Sequence, residues 1–217
     1  MTTALILAGG GSSSRFGGGN KLLAVFDGLP VFLHSAKCFA PLCAEMVMTV
    51  PSCLAADFEA ARAEFAPEIA IEMVPGGVSR SGSVRNALNA LRRGCDLVAV
   101  HDAARPWADA VLFEKLVLAA AEHGGAIPGT RMTDTVKQVL PDGRIERTLN
   151  RNALITVQTP QIFRLDLLVE AYRRAGEREF TDDAAVMEAA GFPVVWIEGP
   201  ADNRKITFKN DLPGLGN

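Results

Sequence analysis

Apolar positions in this chain come in short unbroken runs separated by amphipathic stretches. Ala4-Leu5-Ile6-Leu7-Ala8 is the first run, and it predicts a strand buried on both faces of a parallel sheet. Residues 45–50, 69–74 and 97–100 are further strand candidates, and 125–128 and 194–197 are shorter ones. Helices are predicted between them. One opens at Pro30, where a missing N–H costs nothing, and runs to about Phe39. Others cover 54–65, which is Ala-rich, 81–93, with Val84, Leu88 and Leu91 at helical spacing, and 110–122. Alternation of strand and helix up to about residue 128 predicts an α/β fold. It should be a mostly parallel, Rossmann-like sheet with helices on both faces. Ligands in such sheets bind beyond the carboxyl ends of the strands. The loops after Ala8, Val74 and Val100 should therefore line one crevice.

The pattern changes at Thr133. Residues 135–139 and 144–148 alternate in polarity around Pro141-Asp142-Gly143, which predicts a β-hairpin. A lone hairpin is marginal in water, so an arm at about 133–151 needs something to lean on. A strand at 153–157 follows, then helices at 166–175 and 182–190, the second capped by Thr181 or Asp182. Residues 213–217 cannot sustain a helix and should fray. The chain has no internal repeat and no low-complexity linker. With 217 residues it reads as a single domain.

Composition narrows the function. The chain is 48% hydrophobic and 22% charged, with a net charge of −3. A general nucleic-acid binder would be basic, so no nucleic-acid partner is expected. Cys38, Cys43, Cys53 and Cys95 form no C-x-x-C pair and read as thiols in a reducing cytoplasm. His34, His101 and His123 lie far apart in sequence, which argues against a zinc site. No signal peptide, membrane span or membrane partner is expected.

The candidate chemistry starts in the loop after the first run, Gly9-Gly10-Gly11-Ser12-Ser13-Ser14-Arg15-Phe16-Gly17-Gly18-Gly19-Asn20-Lys21. Backbone N–H groups of such a loop can turn inward as an anion nest. Arg15 and Lys21 beside it suggest a polyphosphate. The dinucleotide fingerprint fails, because Ser14 stands where its last Gly belongs and Asp27 comes too early. The P-loop fails as well, because Lys21 follows Asn20 and precedes Leu22. A flexible surface loop with two solvated cations is the plain alternative.

Several segments in order resemble one family. They are the Gly loop with Arg15 and Lys21, Pro75-Gly76-Gly77, Arg80 with Ser83-Val84, and His101-Asp102-Ala103-Ala104-Arg105-Pro106. They continue with Asp134-Thr135-Val136-Lys137, Asn150-Arg151-Asn152, Gln158-Thr159-Pro160-Gln161, Thr181-Asp182-Asp183 and Ala201-Asp202-Asn203-Arg204-Lys205-Ile206-Thr207. The set is similar to the 2-C-methyl-D-erythritol 4-phosphate cytidylyltransferases of non-mevalonate isoprenoid synthesis. The resemblance implies a nucleotidyltransferase that joins CTP to the polyol phosphate and releases pyrophosphate, with Mg²⁺ or another divalent cation. It implies catalytic roles for Arg15, Lys21, Arg151 and Lys205. It implies CTP binding at Ala8, Gly9, Gly10, Gly11, Gly77, Ser83, Asp102 and Ala103. It implies polyol-phosphate binding at Arg105, Thr135, Arg151, Thr181 and Lys205. No metal ligand is certain, and Asp102 is a possible one. A homodimer built through the arm is implied, with Arg151 serving the neighbouring site.

Bland alternatives stand beside these roles. Lys21 also reads as a solvated lysine at a helix entry, Asp102 and Arg105 as a structural pair, Thr181 as a helix cap and Ser83 as a first-turn residue. His101 reads as strand-end packing rather than a base. The sequence departs from the family pattern in a Gly loop one residue longer, in Val78 at an often polar position, and in lacking a closing helix. The nearest rival activity is ribitol 5-phosphate cytidylyltransferase. A non-catalytic nucleotide-binding protein of the same fold is the distant one.

Overall fold

In the computed structural model, which describes residues 1–11, 13, 15–92 and 94–212, the first apolar run is strand β1 (Thr3–Ala8). The chain continues through β2 (Val25–Phe26), β3 (Leu29–Pro30), α1 (Val31–Phe39), β4 (Glu45–Val50), α2 (Ala55–Phe65), β5 (Glu72–Pro75) and α3 (Arg80–Ala90). Next come β6 (Leu97–Asp102), α4 (Ala110–His123), β7 (Gly125–Arg131), β8 (Lys137–Val139), β9 (Ile145–Thr148) and β10 (Ile155–Val157). Last are β11 (Gln161–Arg164), α5 (Leu165–Ala175), α6 (Asp183–Ala189) and β12 (Val195–Glu198).

The main sheet runs β10-β7-β11-β6-β1-β4-β5, with β12 also paired to β7. β1 is parallel to both β4 and β6, β4 to β5, and β12 to β7. The mostly parallel sheet expected from the alternation is therefore present. β1 shows why its run is apolar throughout. Leu5 and Leu7 enter the core under α1, α2 and α4, whereas Ala4 and Ile6 enter the core under α3, α5 and α6. All four are fully buried, and each large side chain of this kind contributes about 1.5–3 kcal/mol. A charge at Ile6 would break the layer.

The structure corrects several boundaries. Strand 69–74 starts at Glu72, because Ile69 N–H is still bonded to Ala66 O in the turn after α2. Helix 81–93 starts at Arg80, after Ser79 caps it through Gly82 N–H, and ends at Ala90. Leu91 has already turned to an extended backbone, and Arg93 lies outside the described residues. Residues 151–153 form a 3₁₀ turn, so strand 153–157 shrinks to β10. Asp182, not Thr181, caps α6 by accepting from Ala185 N–H at 3.1 Å. The expected fraying of 213–217 falls outside the described residues. After Lys205 the described chain forms a 3₁₀ turn at Lys209–Asp211.

Strand β11 is the larger surprise. It lies between β6 and β7 and is antiparallel to both. It carries Gln158 and Thr159, just ahead of it, to the carboxyl end of β6. The hairpin at 133–151 exists as the separate pair β8–β9, with a register irregularity at Gln138/Val139. Its Val139 and Ile145 are 61% and 63% exposed.

Candidate active site

At the carboxyl ends of β1, β5 and β6 the loops enclose a cavity of about 410 Å³. Its floor is glycine for a steric reason. A Cβ on Gly77 would stand 2.5 Å from Gly82 C and 2.7 Å from Ser83 N, and one on Gly76 would stand 3.0 Å from Gly10 Cα. The loops after β1 and β5 thus touch backbone to backbone. Ser83 Oγ closes the second loop, accepting from Gly77 N–H at 2.9 Å and donating to Ser79 O at 2.9 Å. Base recognition by this hydroxyl would have to share those bonds.

The expected residues Ala8, Gly9, Gly10, Gly11, Lys21, Gly77, Ser83, Asp102 and Lys205 all line this cavity, together with Arg80 and Val78. Val78 is fully exposed on the rim. Ala103 and Arg105 sit behind the wall, with Ala103 N–H bonded to Ala8 O and Arg105 Nη1 donating to Asn203 O at 2.7 Å. Arg15 and Thr181 are exposed and are not among the lining residues. Thr135 and Arg151 belong to the exposed arm, where Arg151 Nη1 donates to Thr133 O at 2.6 Å.

Lys205 Nζ donates to Asp102 Oδ2 at 2.8 Å, and Lys21 Nζ donates to the carbonyl of Ile206 at 2.7 Å. Burial, then the neighbouring Lys205, lower the pKa of Lys21. Burial alone would raise the Asp102 carboxyl. The Lys205, Arg80 and Arg105 cations outweigh it and hold the carboxyl well below the usual range. Arg80 carries on into the body of the protein. It reaches Asp183 Oδ2 at 2.6 Å, and Tyr172 O–H donates to Asp183 Oδ1 at 2.6 Å. Arg80 Nη1, Arg105 Nε and Asn203 Oδ1 are buried without a hydrogen-bond partner, although Arg105 Nε lies 3.6 Å from Asp102 Oδ2. Such unpaired polar atoms are uncommon, and here all three belong to residues lining or backing the cavity.

His101 is fully buried one residue before Asp102, and burial pushes it down to about 4. Its Nε2 lies 3.1 Å from Arg105 O, and its Nδ1 lies 3.1 Å from Thr159 Oγ1. Ser35 Oγ also lies 3.1 Å from Nε2 and donates its own proton to Arg105 O, so both neighbours of Nε2 are acceptors toward it, which favours the proton on Nε2 and leaves Nδ1 to accept from Thr159. The Thr159 hydroxyl then accepts Asp102 N–H at 3.0 Å. This chain fixes the backbone of Asp102 and makes the imidazole a packing group.

Sequence reading gave no role to Arg80, Thr159 or the Ile206 carbonyl. Arg80 had a signal, as a cation opening a helix directly after the Gly76-Gly77 turn. The other two depend on pairings across the chain. The site as built is a glycine-floored cleft with cations around one carboxylate. It suits a polyphosphate and holds no paired nucleophile and base among the described residues. No group of His, Cys, Asp and Glu among those residues could by itself hold a metal ion. No helix among them is long and apolar enough to cross a membrane.

The profile of the 2-C-methyl-D-erythritol 4-phosphate cytidylyltransferase family, IspD, matches residues 2–214. The chain is 39% identical over 217 residues to the bifunctional enzyme IspD/IspF of Rhodopseudomonas palustris BisB18, covering 97% of this chain and 54% of that protein. It spans about half the length of such bifunctional relatives. It is 36% identical over 214 residues to the 2-C-methyl-D-erythritol 4-phosphate cytidylyltransferase of Geobacillus thermodenitrificans, covering 96% of this chain and 92% of that protein. In structure it is similar to 4-diphosphocytidyl-2C-methyl-D-erythritol synthase of Anaerococcus prevotii. There the TM-score is 0.81 at 27% identity, covering 97% of this chain and 94% of that one.

Proposed function

The chain belongs to the 2-C-methyl-D-erythritol 4-phosphate cytidylyltransferase family, and on that premise we propose that it transfers CMP from CTP to 2-C-methyl-D-erythritol 4-phosphate as a single nucleotidyltransferase domain in the cytoplasm. The products are 4-diphosphocytidyl-2-C-methyl-D-erythritol and pyrophosphate. The observation that carries this reading is the convergence of Lys21, Lys205, Arg80 and Asp102 on one glycine-floored cleft.

The chemistry needs little more than that. An oxygen of the substrate phosphate attacks the α-phosphorus of CTP. The bond from that phosphorus to the oxygen bridging to the β-phosphate breaks, and pyrophosphate leaves with the electron pair. A phosphate monoester has a second pKa near 6, so no side chain has to remove a proton. The barrier is the approach of two anions, and fixed cations lower it. Lys21 and Arg15 face the charge developing on the α-phosphate. Lys205, together with Arg151 and Thr135 from a second copy of the chain, holds the attacking phosphate. Arg105 and Thr181 support the polyol-phosphate side. The backbone of 8–11 and 77, with Ser83, cradles the nucleotide, and Asp102 with Ala103 faces its ribose.

Mg²⁺ fits this set only in the manner usual for nucleotides. Phosphate oxygens would supply most ligands and Asp102, the one carboxylate among the described lining residues, could add another. When bound it would neutralise triphosphate charge. A pyrophosphate-release assay with CTP, Mg²⁺ and either 2-C-methyl-D-erythritol 4-phosphate or ribitol 5-phosphate tests the proposal. Turnover with the first and little with the second supports it. The reverse result would replace the acceptor, and turnover with neither would remove the activity.

A further inference from the structure

Lys205 stands in a segment without regular structure. No helix or strand covers 199–208, and its side chain is 42% exposed. The segment is nevertheless tied down at both flanks. Asn203 Nδ2 donates to Gln158 Oε1 at 3.2 Å and to Thr159 O at 2.9 Å, and Ile206 N–H donates to Ala104 O at 2.8 Å. Between these ties, Arg204 turns away from the cleft and lays its guanidinium over Trp107, 5.0 Å from the ring centroid.

Trp107 belongs to the loop that follows Asp102. Its ring packs 5.8 Å from Phe26, and Phe26 stacks on His34 at 4.1 Å. Phe26 in turn ends the short segment that leads away from Lys21. One stack, Arg204–Trp107–Phe26–His34, thus touches the three backbone segments that supply Lys205, Asp102 and Lys21.

We propose that Arg204 and Trp107 are positioning residues for the transfer reaction. Their cation–π contact is a clamp that sets the backbone of Lys205 and so the place of its ammonium over Asp102. This rests on the reading of Lys205 as a group that holds the attacking phosphate. A cation over an indole face is the strongest pairing of its kind. It asks for no partner inside the cleft, so the clamp is independent of nucleotide binding. A small displacement of a charged group from its productive place is enough to slow a reaction that runs on positioning. The clamp should therefore govern kcat and leave the KM for CTP nearly untouched.

The test uses Arg204→Ala, Arg204→Lys, Trp107→Phe and Trp107→Leu. Arg204 is exposed, so its removal does not threaten the fold. Arg204→Ala should lower kcat about tenfold with the KM for CTP within about twofold of wild type, and Arg204→Lys and Trp107→Phe should stay within about threefold of wild type. Combining Arg204→Ala with Trp107→Leu should cost no more than the worse single change, as expected for one shared contact. Hydrogen exchange of 203–208 should quicken in Arg204→Ala, and Trp107 emission, read in a Trp196→Phe background, should shift. Unchanged exchange and emission in Arg204→Ala would overturn the clamp even if wild type turns over well. Altered exchange with kcat within about twofold of wild type would overturn its role in the reaction. Absence of turnover by wild type would instead defeat the functional reading, and exchange and emission would still decide whether the clamp exists.

Discussion

The ammonium of Lys205 donates to Asp102 Oδ2 at 2.8 Å while Arg105 Nε faces the same oxygen from 3.6 Å. Asp102 therefore holds together cations that would otherwise repel one another, and on the proposed function an incoming triphosphate would compete with it. The carboxyl titrates below its unfolded value of about 3.9, so its stabilising contribution is complete above that pH and is lost as pH falls through the folded value. Asp102→Asn should lower unfolding stability by about 1–3 kcal/mol near neutral pH, discounted from a fully buried pair because Lys205 is half in solvent. The gap to wild type should narrow as pH falls below about 4. Urea unfolding of both proteins at neutral and acid pH measures it, and a constant gap would contradict the assignment.

His101 gives the protein a second acid sensitivity. It titrates at about 4 in the folded chain and at about 6.5 when unfolded. Between those values the unfolded chain binds more protons, so stability is complete above about 6.5 and falls as pH drops toward 4. The loss from this group is at most about 3 kcal/mol. His101→Gln should flatten that part of the wild-type stability curve. A wild-type curve that is itself flat across this range would show that the imidazole is not buried as described.

On the proposed function, Lys21 should set the alkaline limb of activity. Its lowered pKa predicts loss of kcat/KM below the pH at which an ordinary lysine titrates. Lys21→Arg should move that limb upward, since a guanidinium does not titrate there. Lys21→Ala should reduce kcat by at least about 100-fold with the fold intact by circular dichroism. A folded variant keeping about a tenth of wild-type kcat would exclude the role.

Arg151 separates the arm proposal from its rivals. Lys21→Ala and Arg151→Ala chains, each nearly inactive alone, are mixed and allowed to exchange. If Arg151 serves the neighbouring copy, half of the dimers are mixed and each has one intact site, so activity recovers to about a quarter of wild type. If Arg151 acts within its own chain, the mixture stays inactive. Native mass spectrometry of tagged chains checks that exchange has occurred.

How much of this was legible in the sequence follows from the range of the forces involved. β1 was plain because its burial on both faces writes an unbroken apolar run. β11 was hidden because Gln161-Ile162-Phe163-Arg164 is short, mixed in polarity and followed at once by a helix. Only its pairing with β6 and β7 makes it a strand. The same division holds in the site. Lys21 and the glycines announce themselves within one loop. The ties of Lys205 to Asp102 and of Arg80 to Asp183 each span 103 positions, and no local pattern encodes them. The resemblance to a family supplied Lys205 where physics read from the sequence could not.

The bond from Lys21 to the carbonyl of Ile206 joins positions 185 residues apart, and that separation sets a schedule for protein synthesis. A ribosome adding roughly 5–20 residues per second delivers Ile206 on the order of 10–40 s after Lys21. During that interval β1 and its glycine loop have been made, but the far wall of the cleft has not. On the proposed function, a nascent chain should therefore hold nucleotide through this cation set only once Ile206 has been added and the far wall has closed.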